Sequence, residues 1–178
     1  MGAHHHNGHA ERSIGTIMSI TRAMLIHQAL HWPALSDPQL WPMCVVHAVY
    51  LWNHVPDAST GLSPNDLFTR SRWKLSRFHD LHVFGCPAYV LSKTIADGKK
   101  IPKWKPRSTR CVYLGISREH ASCVPLVLNP ATGFITPQFH VVCDIWFHTV
   151  SSTVEDLPDF NSDAWKKLFG DSIFSILL

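Results

Sequence analysis

The sequence predicts an α+β protein, with helices in the first part of the chain and a small antiparallel β-barrel after them. Three observations carry this. Up to about residue 69 the apolar residues recur at helical spacing. Beyond residue 80 they fall into short runs bounded by Gly, Pro and Asn. Between the two lies a polar, basic stretch. The 178 residues are room for one domain or two small ones, and 46% hydrophobic with 16% charged residues is a globular composition. The expected organisation is a helical segment over 1–72, a basic linker over 73–80, a barrel over 81–150, and an acidic then apolar tail over 151–178.

The first helix is expected from Asn7 or Gly8 to His31. A polar turn opens it, and Pro33 drives the preceding residue out of helical backbone. Ile14, Ile17, Met18, Met24 and Leu25 form its apolar stripe. Glu11 lies in the first turn, where a carboxylate suits the helix dipole. Ser36-Asp37-Pro38 caps the next helix, with Asp37 to Trp41 as a loose first turn and an end near Asn53. That helix is apolar over most of its circumference, so Trp41, Tyr50 and Trp52 read as core. Ser63-Pro64-Asn65-Asp66 starts a short third helix carrying Leu67 and Phe68.

Leu81 to Leu91 is strand-like, broken at Gly85 and Pro87. Thr94 to Arg107 is a long lysine-rich loop. Cys111 to Ile116 and Cys123 to Asn129 are strands. Asn129-Pro130-Ala131-Thr132-Gly133 is a hairpin turn, and Phe134 to Cys143 returns as a fourth strand interrupted at Pro137. Short strands with such turns predict the barrel. Further on, Ala164 to Phe169 offers one or two amphipathic turns, and Phe174 to Leu178 is apolar.

Charge is uneven. Residues 70–120 hold twelve basic side chains against three acidic ones, a net of +9 in a chain whose total is +3. A basic middle between mildly acidic ends points to a polyanionic partner. Its densest part is Lys99, Lys100, Lys103, Trp104, Lys105 and Arg107, with Arg110 just beyond. Cations neutralise phosphates, and Trp104 is suited to stacking on a base or to plugging the barrel core. No run of about 18 apolar residues predicts a membrane span, and the His-rich start lacks the apolar stretch of a signal peptide. His4, His5 and His6 read as native sequence.

Cys44, Cys86, Cys111, Cys123 and Cys143 are widely spaced, with no C-x-x-C pair, so reduced buried thiols in an intracellular protein are expected. His27 and His31 stand four apart, a chelating spacing, but without the Glu of a His-Glu-x-x-His motif. His79 with His82, and His140 with His148, lack further partners. No small-molecule substrate is indicated.

The order of motifs adds a further expectation. Asn7-Gly8-x-Ala10-Glu11-Arg12 is followed by Ala23-Met24-Leu25, His31-Trp32-Pro33 and Leu40-Trp41-Pro42. His47-Ala48, Asn53-His54-x-Pro56 and Gly61-Leu62-Ser63-Pro64 come next. Phe84-Gly85-Cys86-Pro87, Tyr113-Leu114-Gly115 and Pro137-Gln138-Phe139-His140-Val141 complete the series. Over about 145 residues this order resembles the integrase of copia-type retrotransposons. The resemblance implies the end of a ribonuclease-H-like catalytic core followed by a Src-homology-3-like barrel. It places Glu11 as the third acid of the catalytic triad.

The parent activity implied is metal-dependent DNA strand transfer in the nucleus, using Mg²⁺ or Mn²⁺ held by three acidic residues. Residues 1–10 contain no aspartate, so Glu11 stands alone. This chain is therefore expected to be inactive in strand transfer by itself, to need no cofactor, and to bind nucleic acid without sequence preference. The competing expectations are a non-enzymatic basic interaction module within a larger polyprotein, or an inert relic of a decayed element. The first helix departs from the family pattern: Ser13, Ile14, Gly15 and Thr16 follow Arg12 where basic residues are usual. Without the missing sheet, apolar faces at Ile17, Met24, Leu40, Val45 and Val49 are expected to lack a partner and to favour self-association.

Overall fold

The computed structural model describes residues 8–72, 81–120, 124–150 and 152–169. Several expectations fall outside them: Asn7 as helix start, the histidines His4 to His6, the linker 73–80 with His79, Cys123, and the apolar end from Phe174. The described chain is α+β, with five helices and a five-stranded antiparallel sheet.

Helix α1 spans Gly8–His31. Its buried face is not the stripe expected from Ile14. Ile14 is 61% exposed, and Ile17, Met18 and Met24 are half-buried. Thr21, Leu25, Gln28, Ala29 and Trp32 point inward instead, at the i, i+4, i+7, i+8 and i+11 spacing of one helix face. Polar Thr21 and Gln28 can join this face because their donors find backbone acceptors. The Thr21 hydroxyl donates to the Ile17 carbonyl at 2.9 Å, and Gln28 Nε2 donates to the Leu35 carbonyl at 3.1 Å. The turns around Glu11 stay exposed.

A 3₁₀ turn at Pro38–Leu40, capped by the Asp37 carboxylate accepting from the Gln39 amide, leads into α2, Trp41–His54. Cys44, His47 and Ala48 form the buried stripe of α2. The expectation that Trp41 and Trp52 are core is corrected: they are 42% and 38% exposed, and Tyr50 is half-buried. An all-round apolar helix needs cover on every side. α2 packs on α1, α3, the preceding turn and the sheet, which leaves both indoles at the surface. Helix α3, Pro64–Thr69, starts with a capping box in which Ser63 and Asp66 exchange backbone and side-chain bonds of 3.0 and 3.1 Å.

The sheet comprises β1 (Pro87–Leu91), β2 (Ser108–Ile116), β3 (Pro125–Leu128), β4 (Ile135–Pro137) and β5 (Val141–Cys143), in the order β4-β3-β2-β1-β5. Leu81 to Cys86 is an irregular approach to β1, and a short helix α4, Lys93–Ala96, precedes the lysine loop. The run expected as one interrupted strand, Phe134 to Cys143, is two strands with different partners. β4 pairs with β3, and β5 crosses to the far edge to pair with β1. The sheet therefore stays open, with β4 and β5 as opposite edges, and is not closed into the expected barrel.

Two glycines let the helices approach this sheet. Gly85, at φ +78°, lies under α1, and a Cβ there would collide with the Gln28 side chain. Gly115, at φ +117°, lies under α2, and a Cβ there would stand 3.2 Å from His47 Nδ1. One hydrophobic cluster joins Leu25 of α1, Trp32 just past its end, Cys44 of α2, Val112 and Leu114 of β2, and Phe84. Of the helix residues expected to lack a partner, Leu40 is buried, and Ile17, Met24, Val45 and Val49 are half-buried. Helix α5, Asp163–Phe169, adds Trp165 and Phe169 to the core, their rings stacked at 5.4 Å. The tail thus contributes packing that its faint sequence pattern does not announce. No helix among the described residues is long and apolar enough to cross a membrane.

Candidate nucleic-acid interface

The connection from β1 to β2 carries the predicted basic residues. Its base is fixed by the sheet: Leu91 pairs with Ser108, and the Ser92 amide donates to the Arg107 carbonyl at 2.9 Å. Ser92 to Asp97 then coil into α4, closed where the Gly98 amide donates to the Ile95 carbonyl at 2.8 Å and the Lys99 amide to the Thr94 carbonyl at 2.9 Å. A turn follows in which the Lys105 amide donates to the Pro102 carbonyl at 3.1 Å. Prolines at 102 and 106 hold φ near −65° on both sides of Trp104 and lower the entropy lost on ordering the loop.

Lys99, Lys100, Lys103, Lys105 and Arg107 are all exposed. Among the described residues none of them is held in an ion pair, so their charge is open to an external anion. Trp104 is 90% exposed and is not a core plug. Lys103 Nζ stands 5.7 Å from its ring centroid, a cation–π contact that leaves the indole largely open. The structure brings six of the seven predicted residues onto one loop. The seventh, Arg110, lies in β2 with its guanidinium 5.6 Å from the buried Trp32 ring, so it packs the end of α1.

At the foot of the loop a cleft of about 220 Å³ is lined by Val90, Ser92, Lys93, Thr109, Thr136 and Gln138 among others. Sequence reasoning missed it. The signal was the two-residue spacing of Thr109 and Cys111 along β2, which puts both on the one face of the strand that lines the cleft.

Glu11 stands apart from all this, exposed in the first turn of α1. Among the described residues no three His, Cys, Asp or Glu side chains are grouped to hold a metal ion. The described residues do not assemble the two-metal centre that the integrase resemblance implies, and no chemical step follows from Glu11 alone. His27 and His31 do not make a chelate either. Their rings stack at 4.1 Å and lie 5.5 and 5.2 Å from Phe147. Burial, and then the neighbouring His31, push the His27 pKa below its ordinary value, so it packs as a neutral ring.

Deeper in the core, His47 is buried with its ring edge-on to Tyr113 at 5.7 Å. Burial lowers its pKa to about 4, against a weaker opposing bond to the His82 backbone. No family model, curated protein or solved structure matches the chain.

Proposed function

We propose that this chain corresponds to the C-terminal part of a copia-type integrase, and that its β1–β2 loop binds nucleic acid through phosphates and one stacking tryptophan. The observation that carries the binding reading is the loop itself: five exposed cations, with no ion pair among the described residues, around a 90% exposed indole. The family reading rests on the order of motifs. The strand order β5-β1-β2-β3-β4, with the chain returning to pair β5 with β1, is the order of a Src-homology-3-like sheet and supports it. Gly85 and Gly115, which fall inside two of those motifs, have structural work under α1 and α2.

With no metal-holding group around Glu11 among the described residues, the purified chain should show no Mg²⁺- or Mn²⁺-dependent DNA joining. Joining that disappears in Glu11→Gln would contradict this. Binding is tested by fluorescence anisotropy with a short duplex and a single strand across a salt series. Five phosphate contacts give a slope of about −4.5 in log K against log salt for duplex, or about a 500-fold loss from 50 to 200 mM. Lys99/Lys100/Lys103→Ala leaves about two contacts and about a tenfold loss over that range. Affinity indifferent to salt would sink the reading.

A second reading, self-association, is favoured by an apolar groove lined by Ile20, Ala23, Met24, His27 and Val83. A concentration-independent monomer mass in light scattering would remove it.

A further inference from the structure

Two cysteines meet beside the β1–β5 ladder. Ala88 pairs with Cys143, and the Asp144 amide donates to the Pro87 carbonyl at 2.8 Å. This register places Cys86, two residues before Ala88, diagonally across from Cys143 on the same face. Cys86 and His82 both lie where they act on the Cys143 thiol. The Tyr113 ring closes the cluster, edge-on to His82 at 5.3 Å. Cys86 is fully buried and Cys143 half-buried, so only Cys143 meets a reagent from solvent.

We propose that Cys143 and Cys86 form a redox-active dithiol, in which Cys143 attacks a small disulfide and Cys86 resolves the adduct. The Cys143 thiolate bonds to one sulfur of the reagent, whose S–S bond breaks and releases a thiolate that takes a proton from water. Cys86 then gives up its proton and attacks the Cys143 sulfur, and the second half of the reagent leaves as a thiol. Starting from one thiolate and one thiol, the protein loses two electrons and one proton and gains one disulfide, the other proton coming from water. The small disulfide is reduced to two thiols. The product staples edge strand β5 to the segment that enters β1.

Electrostatics agree with this division of roles. The neighbouring Cys86, aided by His82 and opposed by burial, holds the Cys143 pKa below the ordinary thiol value. Cys86 is pushed up, first by Cys143 and then by burial, with Asp144 adding to it. Burial pushes Cys44 and Cys111 up as well, so neither competes. The lowered pKa raises the thiolate fraction of Cys143 at pH 7 but also lowers its intrinsic nucleophilicity. The net gain over an ordinary thiol is therefore only a few-fold, and the pH midpoint is the sharper readout.

The test uses the full chain carrying Cys123→Ser, incubated with oxidised glutathione at pH 7, quenched with N-ethylmaleimide and mapped by peptide mass spectrometry. The expected product links Cys86 to Cys143 and leaves Cys44 and Cys111 unreacted. Cys86→Ser should stop at a glutathione adduct on Cys143, and Cys143→Ser should leave Cys86 unmodified. Alkylation of Cys143 should have a midpoint below the ordinary thiol value of about 8.5, raised part of the way back by His82→Gln. Circular dichroism checks that each variant folds, and the profile of the otherwise unaltered chain stands if one does not. A linkage elsewhere, an unreactive Cys143 in a folded chain, or a midpoint at the ordinary thiol value would overturn the proposal.

Discussion

Single residues explain why this sheet accepts two helices. Gly85 combines a left-handed backbone with a contact that no Cβ survives, because Gln28 fills the space above it. Gly85→Ala should cost about 2–3 kcal/mol in urea unfolding, strain and overpacking together. His47 gives the fold a pH dependence. Its folded pKa, about 4, lies below the unfolded value of 6.5, so between these values the unfolded chain binds the extra proton. Stability should therefore fall as pH drops from 6.5 to about 4, by up to about 3 kcal/mol, and then level off. His47→Gln should flatten that slope in pH-stepped unfolding, with His27 leaving a smaller slope of the same sign. Neither role is legible in the sequence. Gly85 reads there as a strand break, and His47 as one of 13 histidines, because only the crossing of α1 and α2 over the sheet reveals what lies above each.

At the level of elements, periodicity predicts helices well and their faces less well. Caps and prolines place α1, α2 and α3 close to the observed bounds. The buried stripe of α1 escapes the pattern because Thr21 and Gln28 look polar in sequence, while in the fold they donate to the Ile17 and Leu35 carbonyls. Pro137 marks an interruption in the sequence, and the structure shows its purpose. A proline cannot donate to a ladder, and the chain uses it to leave β3 and cross to the other edge. Gly15 lies mid-helix, with nothing within 4 Å of the place a methyl group would take. Gly15→Ala should therefore raise stability by about 1 kcal/mol in the same urea experiment. The lysine loop is the most legible element of all. Its cations, proline flanks and tryptophan are local sequence features, and exposure follows from their density. Trp104→Ala should change stability by no more than the small range typical of surface substitutions, about ±0.5 kcal/mol. It should weaken single-strand binding by about 1–3 kcal/mol if the indole stacks on a base.

Over the whole molecule, helices and sheet share one core, and the basic loop leaves it between β1 and β2. That arrangement sets the two proposed roles apart. Glu11 sits on the exposed start of α1, with no metal-holding group of side chains among the described residues, while the proposed phosphate-binding cations lie within a single β–β connection. Whether nucleic acid binds at this connection decides the functional reading. A ¹⁵N-correlation NMR titration of the chain with a short single-stranded oligonucleotide at low salt answers that residue by residue. The largest shifts are expected at the amides of residues 99–107 and at the Trp104 indole, fading as salt is raised. Shifts centred on α1 or α2, or a spectrum that does not change, would contradict the binding role of the loop.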